Sequence, residues 1–414
     1  MKNEALFQPL KYNPDADSLP TSRFDFWTNL VASAGMSPLT AHLPDGKPFE
    51  GVILANLLDD AKLAIPDPDT IPKAFWSEEG NKYMYVSELQ KAVRFGDPLA
   101  AARAAFVMLD HGQGSYMARR LAVIASEDVG LGDPYGALVA ITMSKTKKLY
   151  GRKTLLLKII QRLCQASKSR LVCDFSVIPF MSQALKKQVY ADKALTPEER
   201  IAVFNDRDQS VARRLVISVP LCGSSMSGAS FDPLPKKDSK RLYDYWQGAG
   251  IPPLYKQLAV MAEGGFGMSW PLAYEASLGG LSVGLDPWTG MDSVKIGVLY
   301  AATFDKHTSI GKMAFHYVKK SKADWFSMLP HPDDEEKRMN SFSRVIFYTE
   351  GSFLSPFLHG DNMTNLYWSI LHEKWKTEGW SSPETAMKAY KEISADLMPL
   401  HKARSKVMGA PVNA

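Results

Sequence analysis

Between Pro134 and Cys173 the sequence contains no aspartate or glutamate, while Lys145, Lys147, Lys148, Arg152, Lys153, Lys158, Arg162, Lys168 and Arg170 supply nine positive charges. Flexible lysines and forked arginines at this density displace condensed counterions from a nucleic acid, an attraction to phosphate that carries no base sequence. The alternative is a solvated helix face balanced by acids elsewhere in the fold. The phosphate-contact candidates are Lys145, Lys147, Lys148, Arg152 and Lys153. Arg119 and Arg120 either flank the same surface or pair with Glu127 and Asp128.

A second group surrounds Asp305-Lys306-His307-Thr308, which precedes a basic helix from Lys312 to Lys320. Backbone amides at that helix start could hold an anion beside Thr308, with His307 as a titratable neighbour; a polar helix start is the alternative. The adjacent carboxylates of Ser126-Glu127-Asp128-Val129-Gly130 read as a helix end and turn rather than a metal site. The acids after His331, from Asp333 to Glu336, read as a solvated loop. His372-Glu373 lacks the second histidine of a zinc helix because position 376 is Lys. Gly223 to Ser227 is no nucleophile elbow, and Gly265 to Trp270 lacks the third glycine of a dinucleotide fingerprint. Neither a triad nor a dyad assembles, so no catalytic residue, metal or cofactor is expected. Six of the nine tryptophans follow residue 260, among them Trp270, Trp288, Trp325, Trp368, Trp375 and Trp380, and they read as core more than as base-stacking platforms.

The elements that must position these residues are helical. Asp97-Pro98 and Asp133-Pro134 are N-caps followed by proline at the first helical position, and Thr196-Pro197-Glu198-Glu199 is a capping box. Leu99, Ala102, Phe106 and Leu109 share one helical face, as do Met117, Leu121 and Ile124 on the helix opened by Ser115. Leu156, Ile159, Ile160 and Leu163 do the same on a basic helix from Thr154 to Gln165. Further helices are expected over Val294 to Ala302, Ser309 to Lys320, Thr364 to Trp375 and Pro383 to Leu397. No sustained period-two alternation and no fixed-length repeat is present. The fold class is therefore predominantly all-α. The expected domains are an irregular N-terminal lobe (1–78) with an amphipathic stretch at 24–34, a helical domain (79–190), a helix and linker (191–240) and a helical C-terminal domain (241–414).

Composition narrows the class. The 414 residues, 45% hydrophobic and 22% charged with a net charge of +5, describe a folded chain rather than a disordered one. No window approaches 18 uninterrupted apolar residues and the first residues lack an apolar signal region, so neither membrane nor secretion is expected. Three cysteines cannot build a disulfide framework, which makes a reducing cytoplasm the expected address.

The stretch beginning Phe95-Gly96-Asp97-Pro98 and continuing through Tyr116-Met117-Ala118-Arg119-Arg120 to Ala125-Ser126-Glu127-Asp128-Val129-Gly130-Leu131-Gly132-Asp133-Pro134 resembles the helical C-terminal region of the MgsA/RarA replication-associated recombination ATPases. These are relatives of clamp loaders. The resemblance covers residues 85–178 and implies a collar-like helical module that joins subunits into oligomers near replication forks. No Gly-x-x-x-x-Gly-Lys-Ser/Thr loop occurs; the nearest string, Tyr150-Gly151-Arg152-Lys153-Thr154, cannot turn several amides inward around a phosphate. The family's ATPase activity is accordingly not expected with its collar. The first expectation is a non-catalytic, homo-oligomeric accessory protein that binds nucleic acid, DNA more than RNA, among replication proteins; such a chain would suit a phage or other mobile element. The second is a nucleic-acid-processing enzyme with a site around Asp305, His307 and Glu350. The third is a purely structural assembly subunit.

Overall fold

The structure is a computed structural model describing residues 81–145, 153–181, 183–222, 250–262, 266–278, 282–284, 294–351, 357–359, 371–372 and 374–413. The expected N-terminal lobe with its amphipathic stretch, the 223–240 linker, most of the expected helix over Thr364 to Trp375, Trp288 and Trp368 lie outside these residues.

Local chemistry starts most of the helices. Asp97 accepts from the Ala100 amide at 2.9 Å ahead of α2 (Pro98–Asp110), which follows α1 (Asn81–Phe95). Gly112, with φ of 72°, closes α2, and α3 (Gly114–Ile124) buries Met117, Leu121 and Ile124 as its spacing requires. Asp133 accepts from the Gly136 amide at 3.0 Å to open α4 (Pro134–Lys145). The apolar stripe of α5 (Lys153–Gln165) is buried. There follow α6 (Leu171–Met181), α7 (Gln183–Ala191) and α8 (Pro197–Asn205), the last held by the expected reciprocal Thr196–Glu199 box. α9 (Val211–Cys222), α10 (Pro253–Met261) and α11 (Phe266–Ser277) complete this group. Five buried alanines on α2 bring its backbone close to its neighbours α1 and α5. The fold is predominantly α.

Among the described residues the buried apolar side chains form two large cores and a small third cluster of Val189, Val216 and Val219. The first runs from Met84 to Phe304 and continues across residues 190 and 240, with Trp270 fully buried in it. The second, from Ala314 to Ala403, is built by α12 (Ser309–Ser321), α13 (Ala323–Ser327), α14 (Glu335–Thr349), α15 (Pro383–Ser394) and α16 (Met398–Met408). Trp325, Trp375 and Trp380 are interior side chains of this second core.

One expected helix is not there. Residues 294–302 form a hairpin, β2 (Lys295–Ile296) and β3 (Leu299–Tyr300), turning at Gly297 with φ of 61°. The last strand, β5 (Val412–Asn413), pairs antiparallel with β2, so the end of the chain clasps the hairpin. β1 (Ser282–Gly284) pairs with β4 (Phe357–His359). The hairpin is held from outside its own sequence. Tyr300 donates its hydroxyl to Asp97 at 2.7 Å, sets its ring edge-on to Phe95 at 4.7 Å, and donates its amide to Glu88 at 3.1 Å.

Glu88 is almost wholly buried and also accepts from the Thr303 hydroxyl; burial pushes its carboxyl up to about 7, against the pull of those two donors. Its proton is therefore held more tightly in the fold than in the unfolded chain. The corresponding stability is complete below pH 4.5 and is lost as pH rises to about 7, a change of about 3 kcal/mol. The stability difference between the wild type and Glu88→Gln, measured by urea denaturation at pH steps from 4.5 to 7.5, is expected to move against the wild type by that order. A constant difference would contradict the assignment.

Candidate nucleic-acid interface

The basic run divides by destination. Arg162 sets Nε and Nη2 on the Asp133 carboxylate at 2.5 and 2.8 Å, tying α5 to the cap of α4. Lys168 is fully buried, and its Nζ donates to the carbonyls of Leu163, Cys164 and Ala166 at 3.1, 2.9 and 2.5 Å, which otherwise would end α5 unsatisfied. Burial pushes its ammonium down to about 8. Arg170 lies 3.7 Å from Asp128 and donates to the Gly351 carbonyl at 2.8 Å. These three cations hold the domain together.

Two other members of the run, Lys145 and Lys153, reach solvent. Lys145 is exposed as the last residue of α4. Lys153 opens α5, with Nζ 3.5 Å from Asp110 and 5.2 Å above the Phe106 ring. Lys147, Lys148 and Arg152, between the two helices in sequence, lie outside the described residues. Arg119 is exposed on α3, whereas Arg120 is half-buried and reaches Gln90 at 3.5 Å. Gln90 in turn donates to Asp128 at 2.8 Å, and Arg94 pairs with Asp128 at 2.8 Å, closer than Arg170 at 3.7 Å. Arg120 therefore belongs to the Asp128 cluster and not to the Lys145–Lys153 junction.

The Ser126–Gly130 stretch is the turn its spacing suggested, built with an unusual winding. Ala125–Val129 is a π-helical turn, followed by a 3₁₀ turn over Gly130–Gly132. The Ser167–Arg170 segment lies across it, with the Ser169 amide donating to the Asp128 carbonyl at 3.1 Å. A Cβ on Gly132 would stand 1.9 Å from the Ser167 carbonyl oxygen, and Gly130 adopts φ of 48°. Both glycines are therefore required by a close approach of backbone to backbone.

At the other candidate, Thr308 caps α12. Its hydroxyl accepts from the Gly311 amide at 3.0 Å and donates to the Asp305 carbonyl at 2.9 Å, while an Asp305 carboxylate oxygen accepts from the His307 amide at 2.8 Å. The chain's own atoms thus occupy these donors. His307 is exposed, its ring edge-on to Phe347 at 5.5 Å; partial burial pushes its imidazolium down from the ordinary value.

Asp305, Glu350 and His307 each lie within electrostatic reach of Lys91, a lysine that spacing does not single out. Lys91 is buried on α1, and burial with repulsion from Arg94 pushes its ammonium down to about 8, against the pull of Asp305, Glu350 and Asp128. Ser87 donates to Asp305 at 3.0 Å, and Arg404 grips both oxygens of Glu350, one at 2.8 Å. Both carboxylates are engaged within the fold. Glu88, Lys91 and Arg94 recur every third residue of α1, a pattern that in sequence is indistinguishable from a solvated face. In the acidic loop, Asp334 caps α14 by accepting from the Lys337 amide at 3.0 Å. Among the described residues no group of three or more His, Cys, Asp or Glu is placed to hold a metal, and no helix is long and apolar enough to cross a membrane.

Fold and site together define an α-helical protein whose first core carries a glycine-dependent turn locked by buried charges. Residues 96–188, from the end of α1 through most of α7, match the family described as MgsA AAA+ ATPase C terminal. The match overlaps the stretch, residues 85–178, in which the sequence resembles that family. No curated protein and no solved structure matches the chain.

Proposed function

We propose that this protein is a non-catalytic accessory factor of DNA replication or recombination that assembles into a homo-oligomer and holds DNA at the junction of α4 and α5. The observation that carries the reading is the match of residues 96–188 to the C-terminal region of an AAA+ ATPase. The junction is favoured because Lys145 is exposed at the end of α4 and Lys153 borders solvent at the start of α5, and the sequence between them adds Lys147, Lys148 and Arg152 without an acid. Its affinity comes from released counterions, so it is independent of base sequence and falls with salt. Arg119 adds a further outward cation on α3; replication proteins are the partners this reading supplies.

Solution mass by light scattering, with and without a short duplex, tests assembly and binding together. The expected result is a multiple of the 45.9 kDa chain mass that rises on addition of DNA. A monomer that takes up no duplex at low salt contradicts the reading.

A further inference from the structure

A cleft of about 620 Å³ opens where α6 and α7 face α14 and the helical segment 374–377 with Glu378 at its end. Its volume falls in the range of pockets that enclose small molecules, roughly 300 to 1,000 Å³. Lys186, Lys337, Arg344 and Lys374 line it, with Val177 and Phe180 as apolar wall. Glu378, the acid that lines it among the described residues, lies 2.9 Å from Arg344 and 3.8 Å from Lys374, so one carboxylate answers two cations. Lys337 pairs at 2.9 Å with Asp334, and no acid stands within ion-pair distance of Lys186 among the described residues. Lys374 is steadied by donating to the Tyr348 hydroxyl at 2.5 Å. The surplus positive charge reaches neighbouring groups: burial, then repulsion by Arg344 and Lys374, pushes the Lys306 ammonium down from its ordinary value.

We propose that this cleft binds a phosphate ester carrying a flat ring, of nucleotide size, with Arg344 and Lys374 on the phosphate and Phe180 against the ring. A guanidinium fork matches phosphate oxygens two at a time, an aromatic side chain stacks on any base, and the uncompensated charge selects an anion over a neutral ring. The same chemistry is offered by a free mononucleotide and by the phosphorylated end of a single strand.

Calorimetric titration of the full chain with AMP, and with pentathymidylate bearing or lacking a 5′-phosphate, separates these sources. Binding of AMP that weakens about tenfold or more in Arg344→Gln and Lys374→Gln assigns the free nucleotide, the change expected when a charge-assisted hydrogen bond is lost. Binding of only the 5′-phosphorylated strand, weakened by the same substitutions, assigns the strand end. Lys186→Gln, which breaks no ion pair among the described residues, is expected to weaken the ligand about threefold and keeps the test independent of folding defects. No binding of any probe at millimolar concentration, or binding indifferent to all three substitutions, overturns the proposal. Neutralising Lys145, Lys147 and Lys148 leaves AMP affinity unchanged, so failure here and failure of the α4–α5 reading are distinguishable.

Discussion

Replacing Gly132 with alanine is expected to destabilise the first core by about 3 kcal/mol or more, above the ordinary range for an added methyl in a packed interior. The new Cβ would sit 1.9 Å from the Ser167 carbonyl oxygen, and that obstacle is backbone, which cannot swing aside as a flexible side chain would. Relief requires the Ser167–Arg170 segment to lift from the π-helical turn. Lifting it breaks the Ser169–Asp128 backbone bond and draws Arg170 from Asp128. Gly112→Ala supplies the comparison, because Gly112 is left-handed with nothing within 4 Å of a new Cβ. It carries only the conformational penalty, about 1 to 2 kcal/mol. Urea denaturation of both variants decides the matter: equal costs would mean that the two segments do not meet as described.

Arg404→Met is expected to cost about 3 to 5 kcal/mol, the penalty for leaving one charge of a buried pair without its partner. Arg404 and Glu350 are 0% and 1% exposed, and the guanidinium grips both carboxylate oxygens. The pair joins α16 to the end of α14, beside the Lys91 cluster on α1. In the double variant Glu350→Gln with Arg404→Met the orphaned charge is gone, so its cost is expected to fall well below the sum of the single variants. A double-mutant cycle on denaturation free energies reads the coupling directly. Additive costs, or a single Arg404→Met variant within about 1 kcal/mol of wild type, would show that the pair does not hold this joint.

The helical reading was legible because it rests on short-range chemistry. Asp97, Asp133 and Thr196 each satisfy the amide three residues onward, and the stripe of α5 is written at a 3.6-residue period. The turn between Ser126 and Pro134 was legible as a turn and as a family signature, but its partner segment at Ser167–Arg170 was not. The hairpin at 295–300 escapes the sequence pattern because its strands are two residues long and its stabilising partners are Glu88, Asp97 and the distant strand at 412–413. Charge was the least legible property. A lysine that closes a helix end, as Lys168 does, and one that faces water, as Lys145 does, look alike until the chain is folded. For the same reason the cleft around Arg344 and Lys374 leaves no signal, since its lining residues fall in segments far apart in sequence, 177–186, 331–344 and 374–378.

The salt dependence of duplex binding tests the central claim most directly. Each phosphate neutralised contributes a slope of about 0.9 in the logarithm of affinity against the logarithm of salt. In the variant Lys145→Gln, Lys147→Gln, Lys148→Gln that slope is expected to fall by about 2 to 3 units relative to wild type, with sequence preference unchanged. A slope identical in wild type and variant would contradict the assignment of DNA to the α4–α5 junction.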